Sequence, residues 1–234
     1  MIMLLEVKKL VSGYQKKRVL RNVSLDVAEG EMVGVIGHNG AGKTTLLKSM
    51  FGLLHPWGGK VIYGGKDITG RSTALNVRDG ISYMPQGQGL FPDLSVIDNL
   101  ELGNYGLGKT DSIVSLDQVF ELFPILKDRC AQKAGTLSGG QQRMLSLGIT
   151  LMQSPNLLFL DEPSLGLGPV IVQHVMETIK EINSRFETGI MMVEQNIDAA
   201  SMVVDRFFII KIGQIVFSGS SDIAQDKRRL WELF

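Results

Sequence analysis

Short apolar segments, separated from one another by glycine-rich turns or by helical periods, run along most of this chain. Residues 4–11 and 19–27 predict strands, and the second alternates apolar and polar positions as a half-exposed sheet requires. Residues 32–36 are apolar apart from Gly34, which is typical of a strand buried on both faces. Further strands are predicted at residues 60–63, 80–84, 157–160, 190–193, 207–210 and 215–217.

Helical segments lie between these strands and predict how the chain is organised. From residue 95 to about residue 153 apolar positions recur at helical spacing, which predicts a mainly helical insertion. Strands that alternate with helices favour an α/β fold with a mainly parallel sheet and right-handed crossovers. The other helices are predicted at residues 43–53, 73–78, 170–186 and 197–202. We predict one domain over 1–234, made of a core subdomain (about 1–87 and 154–219), a helical subdomain (about 88–153) and a short C-terminal helical tail (about 220–234).

Composition and charge narrow the function classes. The 234 residues include 24 basic and 24 acidic side chains, so the formal net charge is zero and no nucleic-acid partner is predicted. The basic clusters at residues 16–18 and 227–229 are interpreted as solvated surface. A single cysteine, Cys130, forms no internal disulfide and favours a reducing compartment. No apolar run approaches the ~18 residues of a membrane span, so a membrane role requires a partner.

A glycine-rich turn between the buried strand at 32–36 and the following helix matches the P-loop pattern G-x-x-x-x-G-K-[ST]. In that context backbone N–H groups surround a phosphate chain, Lys43 reaches the β and γ phosphates, and the Thr44 hydroxyl binds Mg²⁺. The alternative is a turn that merely changes the chain direction. The predicted phosphate-binding residues are Gly37, Asn39, Gly40, Ala41, Gly42, Lys43, Thr44 and Thr45.

Two adjacent carboxylates, Asp161 and Glu162, end the apolar strand that begins at residue 157. An acidic residue after a strand is often a helix cap or a turn former, and Pro163 does follow here. In a chain with a P-loop, the pair indicates two different catalytic roles for the two carboxylates. Asp161 is predicted to hold the Mg²⁺ shell, and Glu162 to orient and deprotonate the attacking water.

A second glycine-containing helix start, Leu137-Ser138-Gly139-Gly140-Gln141, precedes the helical run to residue 152. It is interpretable as an ordinary N-cap. It also has the form of a second phosphate-binding nest, and one chain seldom needs two. The predicted nucleotide-binding residues here are Ser138, Gly139, Gly140 and Gln141.

The Leu-Ser-Gly-Gly-Gln segment, placed between a P-loop and an Asp-Glu strand end, resembles the signature of the ATP-binding cassette (ABC) ATPases of ABC transporters. This resemblance covers essentially the whole chain. It implies a P-loop NTPase whose mainly parallel core sheet carries an antiparallel β subdomain and a helical subdomain. It also implies a second ATPase subunit, identical or paralogous, such that each ATP lies between one subunit's P-loop and the other's signature. Membrane permease subunits would hold the chain at the cytoplasmic face of the cell membrane.

The resemblance also implies roles for two further residues. Tyr14 matches the aromatic residue that stacks on adenine, although it is interpretable as a strand-end anchor. Gln86 matches the glutamine that senses Mg²⁺ and water, although it is interpretable as a plain loop amide. The predicted Mg²⁺ ligands are therefore Thr44, Gln86 and Asp161.

Two departures from the family pattern narrow the resemblance. Gln195 stands where most relatives have a histidine that contacts the γ-phosphate, and a neutral amide donates a hydrogen bond but carries no charge. Gly168 stands where the wider family has an aspartate. Glu-Pro-Ser-Leu-Gly-Leu at residues 162–167, followed by Gly168 and Pro169, and Val-Glu-Gln-Asn at residues 193–196 resemble the second ATPase of branched-chain amino acid importers, including relatives that take urea or short amides. A solute-binding protein would then be an indirect partner, and Gln195 is retained as a catalytic residue beside Glu162.

Three other functions are considered. An ABC-type ATPase that acts on DNA or ribosomes would carry long coiled-coil insertions or tandem cassettes, and neither fits in this chain. A small-molecule P-loop kinase would leave residues 138–141 without a purpose. A non-catalytic nucleotide-binding regulator stays open because of Gln195 and Gly168.

Overall fold

The computed structural model describes residues 2–87, 89–105 and 114–221. The predicted C-terminal tail lies outside these residues from position 222 onward. The strands are β1 (Met3–Tyr14), β2 (Lys17–Ala28), β3 (Met32–Ile36), β4 (Gly58–Tyr63), β5 (Lys66–Asp67), β6 (Ile81–Met84), β7 (Leu157–Asp161), β8 (Gly189–Glu194), β9 (Arg206–Lys211) and β10 (Gln214–Ser220). The helices are α1 (Lys43–Phe51), α2 (Thr73–Arg78), α3 (Val96–Asn104), α4 (Leu116–Leu122), α5 (Pro124–Asp128), α6 (Gly139–Leu151), α7 (Pro169–Phe186) and α8 (Ile197–Ser201), with a 3₁₀ turn at Ala134–Thr136.

The central sheet has the strand order β10-β9-β3-β8-β7-β6. Its neighbouring strands are parallel except for β10, which pairs antiparallel with β9. Every residue of β3, β7 and β8 is buried, which confirms the prediction of doubly covered strands from their continuous apolar runs. Because β3, β7 and β8 run in the same direction, the loops that follow them lie at one edge of the sheet.

A second, antiparallel sheet has the order β2-β1-β4-β5. The β1–β2 hairpin is longer than the sequence predicts, because β1 continues to Tyr14 and pairs there with Lys17. Strand β5 was not predicted, since two exposed residues carry no periodicity. The resulting arrangement of one mainly parallel and one antiparallel sheet agrees with the predicted fold class.

Helices α3 to α6 form the part of the chain that was predicted to be helical. The buried positions include Val96 and Leu100 of α3 and Val119 and Leu122 of α4, which recur at the helical spacing seen in the sequence. They belong to one apolar cluster with α6 and the facing side of the central sheet. The exact subdomain boundaries, about 87/88 and 153/154, stay a prediction.

The turn between β9 and β10 joins the two sheets to the P-loop. The Arg21 N–H donates to the carbonyl of Gly213 at 2.8 Å, and the Gly213 N–H donates to the carbonyl of Ala41 at 2.9 Å. Gly213 has a φ of 76°, and a Cβ placed on it would lie 1.7 Å from the Val19 carbonyl oxygen. Glycine is therefore required here both by backbone conformation and by space.

We predict that Gly213→Ala destabilises the chain much more than Gly30→Ala. Both positions have positive φ, 76° and 68°, so each alanine costs about 1–2 kcal/mol from backbone conformation. Nothing lies within 4 Å of a Cβ at Gly30, whereas the one at Gly213 meets backbone, which adds at least about 2 kcal/mol. Urea unfolding of both variants measures the difference, and equal losses would contradict this account of the turn.

Candidate active site

The P-loop leaves the carboxyl end of β3 and enters α1 at Lys43. The Gly37 N–H donates to the carbonyl of Glu194 at 3.4 Å, which ties the loop to the end of β8. Gly40 and Gly42 have φ values of 80° and 111°, so glycine is needed where the loop curls before the helix. Such a loop at the N-terminus of a helix is suited to bind an anion, because backbone N–H groups and the positive end of the α1 dipole lie there.

Lys43 folds back over this loop and is buried. Its ammonium donates to the carbonyl oxygens of Gly37 at 2.8 Å and His38 at 3.3 Å. It also forms an ion pair with Glu162 Oε1 at 3.0 Å, and the two side chains are only 4% and 5% exposed. A buried charge needs such partners, so the lysine of the P-loop and the carboxylate at the end of β7 each compensate the charge of the other.

Asp161 is held by two hydroxyl groups. Thr44 Oγ1 donates to Asp161 Oδ1 at 3.0 Å, and the Tyr83 hydroxyl donates to Asp161 Oδ2 at 2.9 Å. Burial raises the pKa of Asp161 above its ordinary value, and the two hydrogen bonds act against that shift. Sequence reasoning did not find Tyr83, because a half-buried aromatic residue on a strand carries no signal of its own.

Glu162 occupies an unfavourable backbone conformation directly after β7, with a φ of 50°. Its N–H donates to the carbonyl of Val193 at 2.9 Å, and its Oε2 accepts a hydrogen bond from Gln86 Nε2 at 2.8 Å. Left-handed conformations of non-glycine residues cost about 1–3 kcal/mol and persist where surrounding contacts fix them. Both carboxylate oxygens of Glu162 are thus engaged, one by Lys43 and one by Gln86.

A cleft of about 570 Å³ opens over these residues. Three of its basic side chains, Lys17, Arg18 and Arg21, come from the start of β2. The interpretation of residues 16–18 as solvated surface is therefore incomplete, because the hairpin brings two of them to the cleft. Its lining comprises Tyr14, Lys17, Arg18, Val19, Arg21, Asn39, Gly40, Gly42, Lys43, Thr44, Thr45, Gln86, Glu162 and Ile212.

The described lining carries more basic than acidic side chains, with Glu162 as its carboxylate. A cleft lined mainly by one sign of charge concentrates ligands of the opposite sign, here an anion such as a phosphate chain. The cleft is thus locally positive although the net charge of the whole chain is zero. The basic cluster at residues 16–18 is visible in the sequence. That two of its side chains face the cleft follows only from the pairing of β1 with β2.

Several other predicted residues are not part of the cleft lining, among them Gly37, Ala41 and Asp161 beside it. Ser138 caps α6, accepting from the Gln141 N–H at 3.4 Å, while its own N–H donates to Gln141 Oε1 at 3.0 Å. The structure therefore confirms the N-cap geometry, and none of residues 138–141 lines the cleft. Gln195 is exposed after β8 and also does not line it. Gly168 precedes α7 and supplies no side-chain cap.

The glycine loop, the buried lysine at its helix start and the hydroxyl-bound aspartate at the neighbouring strand end define a P-loop nucleotide site on an α/β fold. Comparison with known proteins agrees. A family model described as ABC transporter matches residues 20–165. The high-affinity branched-chain amino acid transport ATP-binding protein BraG of Pseudomonas aeruginosa is 41% identical over 213 residues, which are 91% of this chain and 91% of BraG.

A second relative and a solved structure extend this comparison. The probable branched-chain amino acid transport ATP-binding protein LivF of Archaeoglobus fulgidus is 33% identical over 94% of this chain and 93% of its own length. The ADP conformation of MJ1267, an ATP-binding cassette of an ABC transporter, has a TM-score of 0.85 and 25% identity, covering 100% of this chain and 98% of that one. The chain belongs to the ABC transporter family, and within it to the ATP-binding subunits, which hydrolyse ATP.

Subunits of this kind work together with membrane permease components. Across the part of this chain that the structure describes, no helix combines the length and the apolar character that a bilayer crossing requires.

We predict that Asp161→Asn raises the melting temperature at neutral pH. Since burial raises the Asp161 pKa, ionisation costs more in the folded chain than in the unfolded one, and an amide removes that cost. The amide oxygen can accept from one of the two hydroxyls, and its NH₂ group can donate to the other, because a hydroxyl is both donor and acceptor. In a chain of this size each kcal/mol gained raises the melting temperature by about 2–4 °C, so even a small gain is measurable.

The pH dependence and a matched substitution test this cause. The gain should vanish at a pH below the ordinary aspartate pKa of about 3.9, where residue 161 is protonated in both states. Asp67 has a lowered pKa because the Thr69 hydroxyl and N–H hydrogen-bond its carboxylate, so Asp67→Asn should give no gain. A lower melting temperature for Asp161→Asn would contradict the prediction.

Proposed function

We propose that this chain binds Mg-ATP in the cleft and hydrolyses it to power a separate membrane permease that imports branched-chain amino acids. The main support for ATP hydrolysis is that four side chains meet at one edge of the central sheet, namely Lys43, Thr44, Asp161 and Glu162. These side chains can meet because β3, β8 and β7 are parallel, so that the P-loop after β3 and the end of β7 lie at the same edge of the sheet.

The donor set fits a magnesium ion bound beside phosphates. Mg²⁺ prefers oxygen ligands and usually takes one or two from the protein, the rest from phosphate and water. The Thr44 hydroxyl and an Asp161 oxygen are 3.0 Å apart, and the Gln86 side chain reaches the same site through its amide. We assign Thr44 and Asp161 as ligands, with the Gln86 oxygen toward the water shell. The bound ion would neutralise charge that develops on the transferred phosphate.

The cleft also fits the rest of the nucleotide. Tyr14 is 45% exposed and lines the cleft beside the basic start of β2, where a purine could stack on it. Stacking of a base on such a ring contributes about 1–3 kcal/mol. The N–H groups of residues 39–45 and the ammonium of Lys43 would receive the phosphates.

Lys43 and Glu162 then act in sequence. Phosphate oxygens compete with Glu162 Oε1 for the Lys43 ammonium, because both bind the same positive group. Once Lys43 turns to the phosphate, Oε1 is released and can accept a proton from water, while Gln86 keeps the other carboxylate oxygen in place. Gln195, at the edge of the same sheet, is proposed to donate a hydrogen bond to the γ-phosphate rather than to move a proton.

The location of residues 138–141 supports a second ATPase subunit. Their N–H groups begin the 13-residue helix α6, a position suited to an anion, yet they do not line this chain's cleft. We propose that they bind the nucleotide of the other subunit, in a homodimer or in a heterodimer with a paralogue. The dimer would sit on permease subunits at the cytoplasmic face of the cell membrane.

Relatives support the choice of solute. BraG and LivF, which share about the full length of this chain, are both named for branched-chain amino acid transport. A phosphonates import protein, PhnC 2 of Nostoc, is 33% identical over 91% of this chain, so the cassette itself is compatible with several solutes. A solute-binding protein would deliver the amino acid, and urea or short amides are the alternative cargo.

We predict that Glu162→Gln binds ATP but lowers its hydrolysis by about a hundredfold or more, because a general base contributes that much. Cells that carry this variant should also lose uptake of isotopically labelled leucine. Phosphate release and leucine uptake are the two measurements.

Glu177→Gln is the matched control, since this exposed glutamate on α7 accepts a hydrogen bond from Gln173 and does not line the cleft. It should leave both quantities at the parent level. Turnover by Glu162→Gln near the parent rate would refute the assignment of the base. Normal leucine uptake with hydrolysis lost would refute the choice of solute alone.

A further inference from the structure

Glu194 is a buried carboxylate that the proposed mechanism does not use. It ends β8 and is 1% exposed. Its Oε1 accepts from the Ser164 N–H at 2.8 Å, and its Oε2 accepts from the N–H groups of Gln195 at 3.2 Å and Asn196 at 3.4 Å. One carboxylate therefore joins the loop after Glu162 to the loop that carries Gln195.

Arg143 approaches the same loop from helix α6. Its guanidinium donates to the carbonyl of Leu165 at 3.4 Å and to the carbonyl of Gly87, next to Gln86, at 3.4 Å. Burial lowers the pKa of Arg143, and the carboxylates of Glu194 and Asp161 act against that shift. The two charged side chains thus bind neighbouring residues of one loop, Ser164 and Leu165.

This loop, residues 163–167, follows Glu162 directly and hydrogen-bonds its backbone. The Leu165 N–H donates to the carbonyl of Glu162 at 3.1 Å, which closes a turn directly after the base. Glu162 itself has a φ of 50°, a conformation that lasts only where neighbouring contacts determine it. Glu194 fixes the N–H of the loop at position 164, and Arg143 fixes the carbonyl at position 165.

We propose that Glu194 and Arg143 are positioning residues that clamp residues 163–167 and thereby hold Glu162 in its strained, cleft-facing conformation. The clamp rests on the proposed function, in which Glu162 is the base. It also joins three loops that face ATP, because Glu194 binds the N–H of Gln195 and Arg143 binds the carbonyl beside Gln86. Neither residue contacts the reacting atoms, so each acts through Glu162.

Glu194→Gln is the first test, in the full-length chain with ATP as substrate. The amide keeps the size of the carboxylate and can still accept from the Ser164 N–H, but its NH₂ group then faces the N–H donors of Gln195 and Asn196. We expect kcat to fall by about tenfold, as for a lost hydrogen bond to a charged group, while KM for ATP changes by less than about threefold. Arg143→Met should lower kcat in the same direction and carries the test if Glu194→Gln does not fold.

The clamp predicts a specific double-mutant result. Because Glu194 acts through Glu162, Glu194→Gln should cause no further loss of the residual turnover in a Glu162→Gln background. Glu177→Gln on the exposed face of α7 should leave kcat and KM unchanged in the parent background.

Two outcomes would overturn the clamp while leaving the proposed function intact. These are a Glu194→Gln kcat within about twofold of the parent, or an equal loss of ATP binding and turnover, which marks a structural role. A Glu162→Gln chain that hydrolyses ATP at the parent rate would instead refute Glu162 as the base of the proposed function, on which the clamp rests.

Discussion

The buried ion pair between Lys43 and Glu162 is the interaction on which the site depends. Its two side chains are nearly inaccessible to solvent and come from the start of α1 and the end of β7, 119 positions apart in sequence numbering (43 to 162). Removing either charge would leave the other buried without its partner, which costs about 3–5 kcal/mol. The pair therefore matters for both folding and function, because the Lys43 ammonium is also the group that phosphate oxygens would bind.

The parallel central sheet makes this pair possible. Strands β3, β8 and β7 are neighbours that run in the same direction, so the P-loop, Glu194 and the Asp161–Glu162 pair emerge at one edge. The antiparallel sheet contributes what the parallel one lacks, namely an aromatic ring and a basic rim from the β1–β2 hairpin. The Gly213 turn then links that hairpin to the P-loop, so fold stability and nucleotide binding share the same backbone contacts.

Much of this arrangement could be predicted from the sequence because it is local. The apolar runs of β3, β7 and β8 and the glycines of the P-loop carry their signals within a few residues. Contacts between distant segments could not be predicted. Tyr83 reaches Asp161, Arg143 reaches Leu165 and Arg21 reaches the cleft only because of strand pairing and helix packing. The positive φ of Glu162 likewise results from the loops packed around it, not from its own preference.

In the proposed mechanism phosphate competes with Glu162 for Lys43, and nucleotide affinity in the absence of divalent metal measures this competition. Calorimetric titration with EDTA present prevents turnover and compares ATP with AMP, which lacks the β and γ phosphates. Glu162→Gln removes the competing carboxylate, so ATP should bind about tenfold more tightly than to the parent, equivalent to ~1.4 kcal/mol, with AMP affinity unchanged. Equal or weaker ATP binding by Glu162→Gln would mean that phosphate and Glu162 do not compete for Lys43.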